Sequence, residues 1–116
     1  MVDDIRYTTV TIANAASLSN AAQLLDRGGR LVAIITDAAW DTNAVTFQVS
    51  VDGATYFNLF NEGTEYSLAG VVASNYNAVD HIVFLGARYV KVRSGTAAVP
   101  AAQAGDTVIT LVMMQY

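Results

Sequence analysis

Val45-Thr46-Phe47-Gln48-Val49-Ser50-Val51 decides the fold class. Val45, Phe47, Val49 and Val51 fall on one side of an extended chain, with Thr46, Gln48 and Ser50 on the other. A helix cannot keep that period of two, and a half-buried strand requires it. On the C-terminal side follows Asp52-Gly53, where glycine supplies positive φ without a Cβ penalty, and then Thr55-Tyr56-Phe57-Asn58-Leu59-Phe60. Run, turn and run together predict a hairpin. The same alternation returns at residues 88–93, where Val90 and Val92 oppose Tyr89, Lys91 and Arg93. Near the start of the chain, Val10 and Ile12 oppose Thr9 and Thr11. Leu31 to Ile35 is apolar throughout, as expected of a strand covered on both faces.

Turn-forming clusters separate these runs at the spacing of a sandwich: Arg27-Gly28-Gly29-Arg30, Asn61-Glu62-Gly63, Asn75-Tyr76-Asn77, Gly86-Ala87 and Ser94-Gly95. Roughly eight to nine strands are predicted, at about residues 6–13, 18–25, 30–36, 44–51, 55–60, 64–73, 81–85, 88–94 and 107–114. Asn14 to Leu25 also reads as an alanine-rich helix capped by Ser17 or Ser19, but strand is the expectation. Ala97 to Gly105 reads as a surface loop, because Pro100 has no N–H to give a ladder. The fold class is therefore all-β: an antiparallel β-sandwich, jelly-roll-like, formed by residues 1–116 as a single domain. Its expected core is Phe47, Val49, Val83, Leu85, Val90, Val92, Ile109 and Leu111.

Composition narrows the function. Of 116 residues, 53% are hydrophobic and 14% charged, which excludes a disordered chain. No cysteine is present, which excludes a disulfide scaffold. Six Lys+Arg against ten Asp+Glu give a net charge of -4, the wrong sign for a nucleic-acid binder. The first ten residues lack the basic start and apolar run of a signal peptide, and no window has the length of a membrane span. Synthesis in the cytoplasm, with no nucleic-acid or membrane partner, is the expectation. Mean hydropathy is nevertheless +0.37, so some apolar surface is expected to face a partner. The C-terminal run Thr107-Val108-Ile109-Thr110-Leu111-Val112-Met113-Met114 is apolar on both sides. It must be central in its sheet or covered by another chain, and it hints at a homo-oligomer.

No constellation carries catalysis. His81 is the single histidine and has no spaced partner, so neither a triad nor a zinc site is indicated. Asp37, Asp41 and Asn43 bring hard oxygens together as calcium prefers, but solvated turn residues are the simpler reading. Gly28-Gly29 lacks the spacing of a phosphate cradle. No cofactor is expected. Tyr89, Lys91 and Arg93 would share one strand face, suited to an acidic partner patch or simply to an outer face. Trp40, between two strands, suits packing against the sandwich or a neighbour, or stacking on a sugar. Ser50-Val51-Asp52-Gly53-Ala54-Thr55-Tyr56 loosely resembles the Ser-x-Asp-Gly-x-x-aromatic hairpin of discoidin-like and galactose-binding-type sandwiches. In it Asp52 would cap backbone donors and Tyr56 would cover the turn. Residues 1–13, with Arg6 and Tyr7, are a candidate arm donated to a neighbour as an added strand, removable without loss of a folded core.

Three segments, taken in order, resemble a family of small structural proteins of tailed bacteriophages and prophages. They are Ala39 to Gly53 (a tryptophan loop and a Phe-Gln-x-Ser-x-Asp-Gly hairpin), Leu85 to Ala98 (an Arg-Tyr-x-x-x-Arg-Ser-Gly-Thr strand) and Pro100 to Val112. The resemblance covers about residues 30–112 and leaves the first 29 unmatched. It implies a virion component, foremost a capsid decoration (cement or minor head) protein on the outside of the major-capsid lattice, acting as a small homo-oligomer such as a trimer. No enzymatic activity is implied. Candidate partner contacts are Arg6, Tyr7, Trp40, Tyr89, Lys91, Arg93, Met114 and Tyr116. The alternatives are a tail or baseplate subunit, and a glycan-binding adhesion module stacking sugars on Trp40, Tyr56 and Tyr76.

Overall fold

A computed structural model describes residues 4–24 and 30–115. Among them lie eleven strands: β1 (Asp4–Ile12), β2 (Ala22–Gln23), β3 (Arg30–Thr36), β4 (Asn43–Ser50), β5 (Phe57–Asn58), β6 (Phe60–Asn61), β7 (Thr64–Glu65), β8 (Leu68–Val71), β9 (Tyr76–Ala78), β10 (Tyr89–Ser94) and β11 (Thr107–Gln115). A single 3₁₀ turn spans His81–Phe84. Every strand pairing is antiparallel.

Two sheets form the sandwich. One, here the β11 sheet, runs β1-β11-β3-β9; the other, the β4 sheet, runs β2-β10-β4, with β5 and β8 both paired to the far edge of β4. β5 meets Gln48 and Val49, whereas β8 meets Asn43 and Val45, so together they stand in for one strand. Between them the short hairpin β6–β7 leaves the sheet. Once β5 to β8 are counted as one position, first, last, third and sixth strands share a sheet, and second, seventh, fourth and fifth share the other. That order is a jelly roll, in which the chain changes sheet at almost every connection.

The alternating positions of β1, β4, β10 and β11 put Val10, Ile12, Val45, Phe47, Val90, Val92, Ile109, Leu111 and Met113 between the sheets. Phe47 meets Phe84 edge-on at 5.1 Å, and Tyr66 lies 6.1 Å from each. This cluster closes one end of the core. β11 is central in its sheet, between β1 and β3, with Ile109, Leu111 and Met113 turned to the core. β1 pairs with β11 residue for residue from Asp4↔Gln115 to Ile12↔Thr107. The segment expected as a removable arm thus supplies an edge strand and buries Val10 and Ile12, so deleting residues 1–13 would open the core.

Several local expectations are corrected. Residues 81–85 are a 3₁₀ turn because the Asp80 carboxylate accepts the Ile82 N–H at 3.1 Å and starts a helical turn. That turn buries Phe84 and leaves Leu85 exposed, so Phe84 takes the place of Leu85 in the core, while Val83 packs on the core half-buried. Val49 packs on the core without being fully buried. Residues 55–60 and 64–73 each break in two where the β6–β7 hairpin leaves the sheet. Of 18–25 only Ala22–Gln23 is a strand, with Leu18 making an isolated bridge to Arg93; Leu25 lies outside the described residues. Of the expected turn Asn75-Tyr76-Asn77, Tyr76 and Asn77 belong to strand β9, because β3 offers it an edge.

Candidate functional site

The outer faces of the two sheets differ completely, and they hold most of the residues the sequence singled out. On the β4 sheet, Tyr89, Lys91 and Arg93 point away from the core as predicted, but the chain folds back over them. Arg93 retains only 6% exposure. Its Nη2 donates to Glu65 Oε2 at 2.8 Å, its Nη1 to Asn58 Oδ1 at 3.0 Å and its Nε to Thr46 Oγ1 at 3.0 Å. Thr46 in turn donates to the Gly95 carbonyl, and Glu65 accepts the Ala97 N–H. A buried guanidinium requires such saturation, since an unpaired one would carry a large desolvation penalty. Lys91 Nζ lies 4.4 Å from the Tyr56 ring centroid, a cation–π contact.

In the turn before Tyr56, Asp52 caps backbone donors as the motif implied, while the ring lying against Gly53 is that of Tyr89. Asp52 Oδ1 accepts from Ala54 and Thr55 N–H at 2.8 and 3.0 Å, and Ser50 Oγ accepts from Gly53 N–H at 2.8 Å. The Thr55 and Ala54 amides, with the Ser50 hydroxyl, hold the Asp52 carboxyl below its ordinary value. Burial, with Tyr89 and Asp52 nearby, pushes the Tyr56 hydroxyl up. Gly53 sits at φ +80°, and a Cβ there would stand 3.0 Å from the Tyr89 ring. Tyr89, Lys91 and Arg93 are thus occupied within their own chain rather than arrayed as a basic stripe.

Trp40 is likewise internal. It is 3% exposed, and its Nε1 donates to the Val71 carbonyl at 2.9 Å. No sugar can stack on a ring in that position. The neighbouring acids serve as staples. Burial opposes ionisation of Asp37, but hydrogen bonds from Val108 N–H, the Thr107 hydroxyl, and Ala39 and Trp40 N–H outweigh it and lower its pKa. Two of those bonds fasten the start of β11, at 2.7 Å from Thr107 and 2.8 Å from Val108. Asp41 accepts from Ala104 N–H at 3.0 Å. Gln103, which sequence reading passed over, is fully buried. It accepts from Asp41 N–H at 2.7 Å and donates to Ser94 Oγ at 2.8 Å. Among the described residues no three His, Cys, Asp or Glu gather as a metal site would need.

The outer face of the β11 sheet is open at its ends and along β1 and β9, while Ala33 at its middle is buried and Ile35, Thr110 and Val112 are half-buried. Its register assembles two complete rows across four strands: Thr9, Thr110, Ile35 and Tyr76, and beside it Tyr7, Val112, Ala33 and Ala78. Thr11–Val108 and Ile5–Met114 flank them on β1 and β11. Tyr7 is 77% exposed, Tyr76 63% and Ile5 59%, while Met114 is half-buried. Neither complete row carries a charge. At the margin beyond the bulge in β3, Arg30 Nη1 meets His81 Nδ1 at 3.3 Å. Arg6 is exposed at the same end of β1, and Tyr116 lies outside the described residues. Of the predicted contacts, this face therefore unites Tyr7 and Met114.

No protein family profile matches the chain, and no curated protein matches it in sequence. A solved structure resembling it is that of the SPBc2 prophage-derived protein YomS. The two are 12% identical with a TM-score of 0.56, over 99% of this chain and 96% of that one. At that identity the likeness concerns the fold.

Proposed function

We propose that this protein is a non-enzymatic structural component of a bacteriophage virion, and that it works as a capsid decoration protein. It sits on the outside of the major-capsid lattice and stabilises the shell as a small homo-oligomer. The observation that carries this reading is the fold shared with a prophage-derived protein over nearly the whole of both chains. The three sequence segments that resemble phage structural proteins support it independently. So does the use of polar side chains: Arg93, Glu65, Asp37, Asp41 and Gln103 all fasten loops to the sandwich. A rigid block with an apolar sheet face suits clamping, because a subunit that binds only the closed lattice raises the free energy of opening it. No bound cofactor enters this function.

The test is to mix purified protein with undecorated capsids of its own phage and follow co-sedimentation. Saturable uptake, with capsids then more resistant to heat, is the expected result. No uptake, with labelled antibody binding tails instead of heads, would transfer the protein to the tail or baseplate.

A further inference from the structure

We infer that the outer face of the β11 sheet is the contact between two copies of this chain, packed face to face about a two-fold axis. This deepens the small-oligomer part of the proposed function and rests on it. Three observations select a second copy as the occupant. First, the area fits. Strands of nine, nine, seven and three residues (β1, β11, β3 and β9), at about 3.4 Å per residue and about 4.8 Å apart, give roughly 450 Å² of sheet per copy. Two faces together then bury about 900 Å², the size of a weak, reversible contact.

Second, charge fits. Each copy brings a net charge of -4, so two copies repel overall, and a contact free of charge adds nothing to that repulsion. The rows Thr9-Thr110-Ile35-Tyr76 and Tyr7-Val112-Ala33-Ala78 provide such a contact. A different protein is commonly selected by complementary charge, and these rows have none to offer it.

Third, the rest of the molecule shows what the chain does with an outer face it keeps to itself. It covers the β4 sheet with residues 52–66, tying them down through Arg93 and Glu65. Nothing among the described residues lies over Tyr7, Ile5 or Tyr76, which stay exposed. A self-complementary apolar face is what an isologous contact needs, since each residue meets its two-fold mate's surroundings.

Multi-angle light scattering of the full chain, up to about 100 µM for an interface this small, reads the mass directly. The expected value is twice 12.3 kDa, falling to 12.3 kDa in Thr9→Lys, which places two ammonium groups in the contact. Circular dichroism checks that this exposed-site variant folds, and Val99→Lys, off the face, should keep the dimer. Because the chain has no cysteine, Thr9→Cys offers a second readout: a short bis-maleimide should link it into a covalent dimer, and Val99→Cys should not be linked. A monomeric wild type, a mass of any other multiple, or a dimer indifferent to Thr9→Lys would overturn the inference. Capsid uptake is scored separately: a monomer that decorates capsids sinks the two-fold contact alone, and a dimer that ignores them sinks the capsid reading alone.

Discussion

The two sheets of this sandwich bury their inner faces in the same way and treat their outer faces in opposite ways. Outside the β4 sheet, Thr46, Lys91 and Arg93 lie beneath Glu65, Asn58 and Tyr56 of the same chain. Outside the β11 sheet, Tyr7, Ile35, Tyr76, Thr110 and Val112 form rows that no described residue covers. The polar face is sealed and the apolar face is open, the reverse of what solvation alone would arrange. Polar side chains here hold the protomer together, and the apolar ones of the β11 sheet stay at its surface, where the proposed two-fold contact would bury them.

The largest effect is expected where the sealed face is broken. Glu65→Ala removes the carboxylate from a guanidinium whose pair is only 7% and 16% exposed, and it also strands the Ala97 N–H. It should cost about 3–5 kcal/mol in urea unfolding. Glu65→Leu combined with Arg93→Met removes both charges and should recover most of that loss. A cost below about 1 kcal/mol for Glu65→Ala would mean that the flap is loosely held and the contrast between the faces is overstated.

Next comes the polar staple at the start of β11. Asp37 accepts bonds from Thr107 and Val108, and Asp37→Asn keeps its shape while weakening both, at about 1–2 kcal/mol near neutral pH. The Asp37 pKa is lowered in the folded protein, so its contribution is fully present above the unfolded value of 3.8. It is lost as pH falls through the folded value. Stability plotted against pH should therefore drop on the acid side in the parent and drop less in Asp37→Asn. Parallel acid limbs would remove Asp37 from the account.

This asymmetry was only half legible in the sequence. Alternation in Val45 to Val49 and Tyr89 to Arg93 gave the strands and their inward residues, because period two follows from backbone geometry whatever the partner. Val51, read as inward, lies past the end of β4 and is exposed. The same alternation put Tyr89, Lys91 and Arg93 outward, correctly, but an outward residue is not necessarily a solvent-exposed one. Whether Arg93 meets water depends on where residues 52–66 return, a contact 28 residues distant in the case of Glu65. Packing against the sandwich, the favoured reading of Trp40, holds, whereas its acceptor, the Val71 carbonyl 31 residues away, was not legible. Asn75-Tyr76-Asn77 looks like a turn, yet Tyr76 and Asn77 belong to a strand, because an available edge on β3 overrides propensity. Gln103, a lone amide in an alanine-rich loop, gave no signal. The open face was the better foreshadowed one: high hydropathy with few charges implied apolar surface in need of a partner, and Tyr7 and Met114 were among the residues named for it.

A smaller effect is expected at the edge of the sealed face. Lys91→Ala removes the contact with Tyr56 and should cost about 0.5–1 kcal/mol, since the residue is half-buried. Lys91→Arg, which keeps a cation over the ring, should cost less. Equal losses in both variants would point to packing of the aliphatic stem as the stabilising element.

The smallest effect on the protomer, and the sharpest on the contrast, belongs to Tyr7→Ser. Tyr7 is 77% exposed and outside the core, so dilute samples should unfold within about 0.5 kcal/mol of the parent. Concentration is where the two should part. If copies meet through this face, association adds to parental stability by mass action, and the thermal midpoint climbs as protein concentration is raised. With the tyrosine gone from both sides of the contact, the midpoint of Tyr7→Ser should stay level over the same range. A variant on the sealed face, such as Lys91→Ala, should instead lower the midpoint by the same amount at every concentration, because it weakens the protomer without touching the contact. Two parallel rising curves for Tyr7→Ser and the parent would show that copies meet elsewhere, and the open face would then need another occupant.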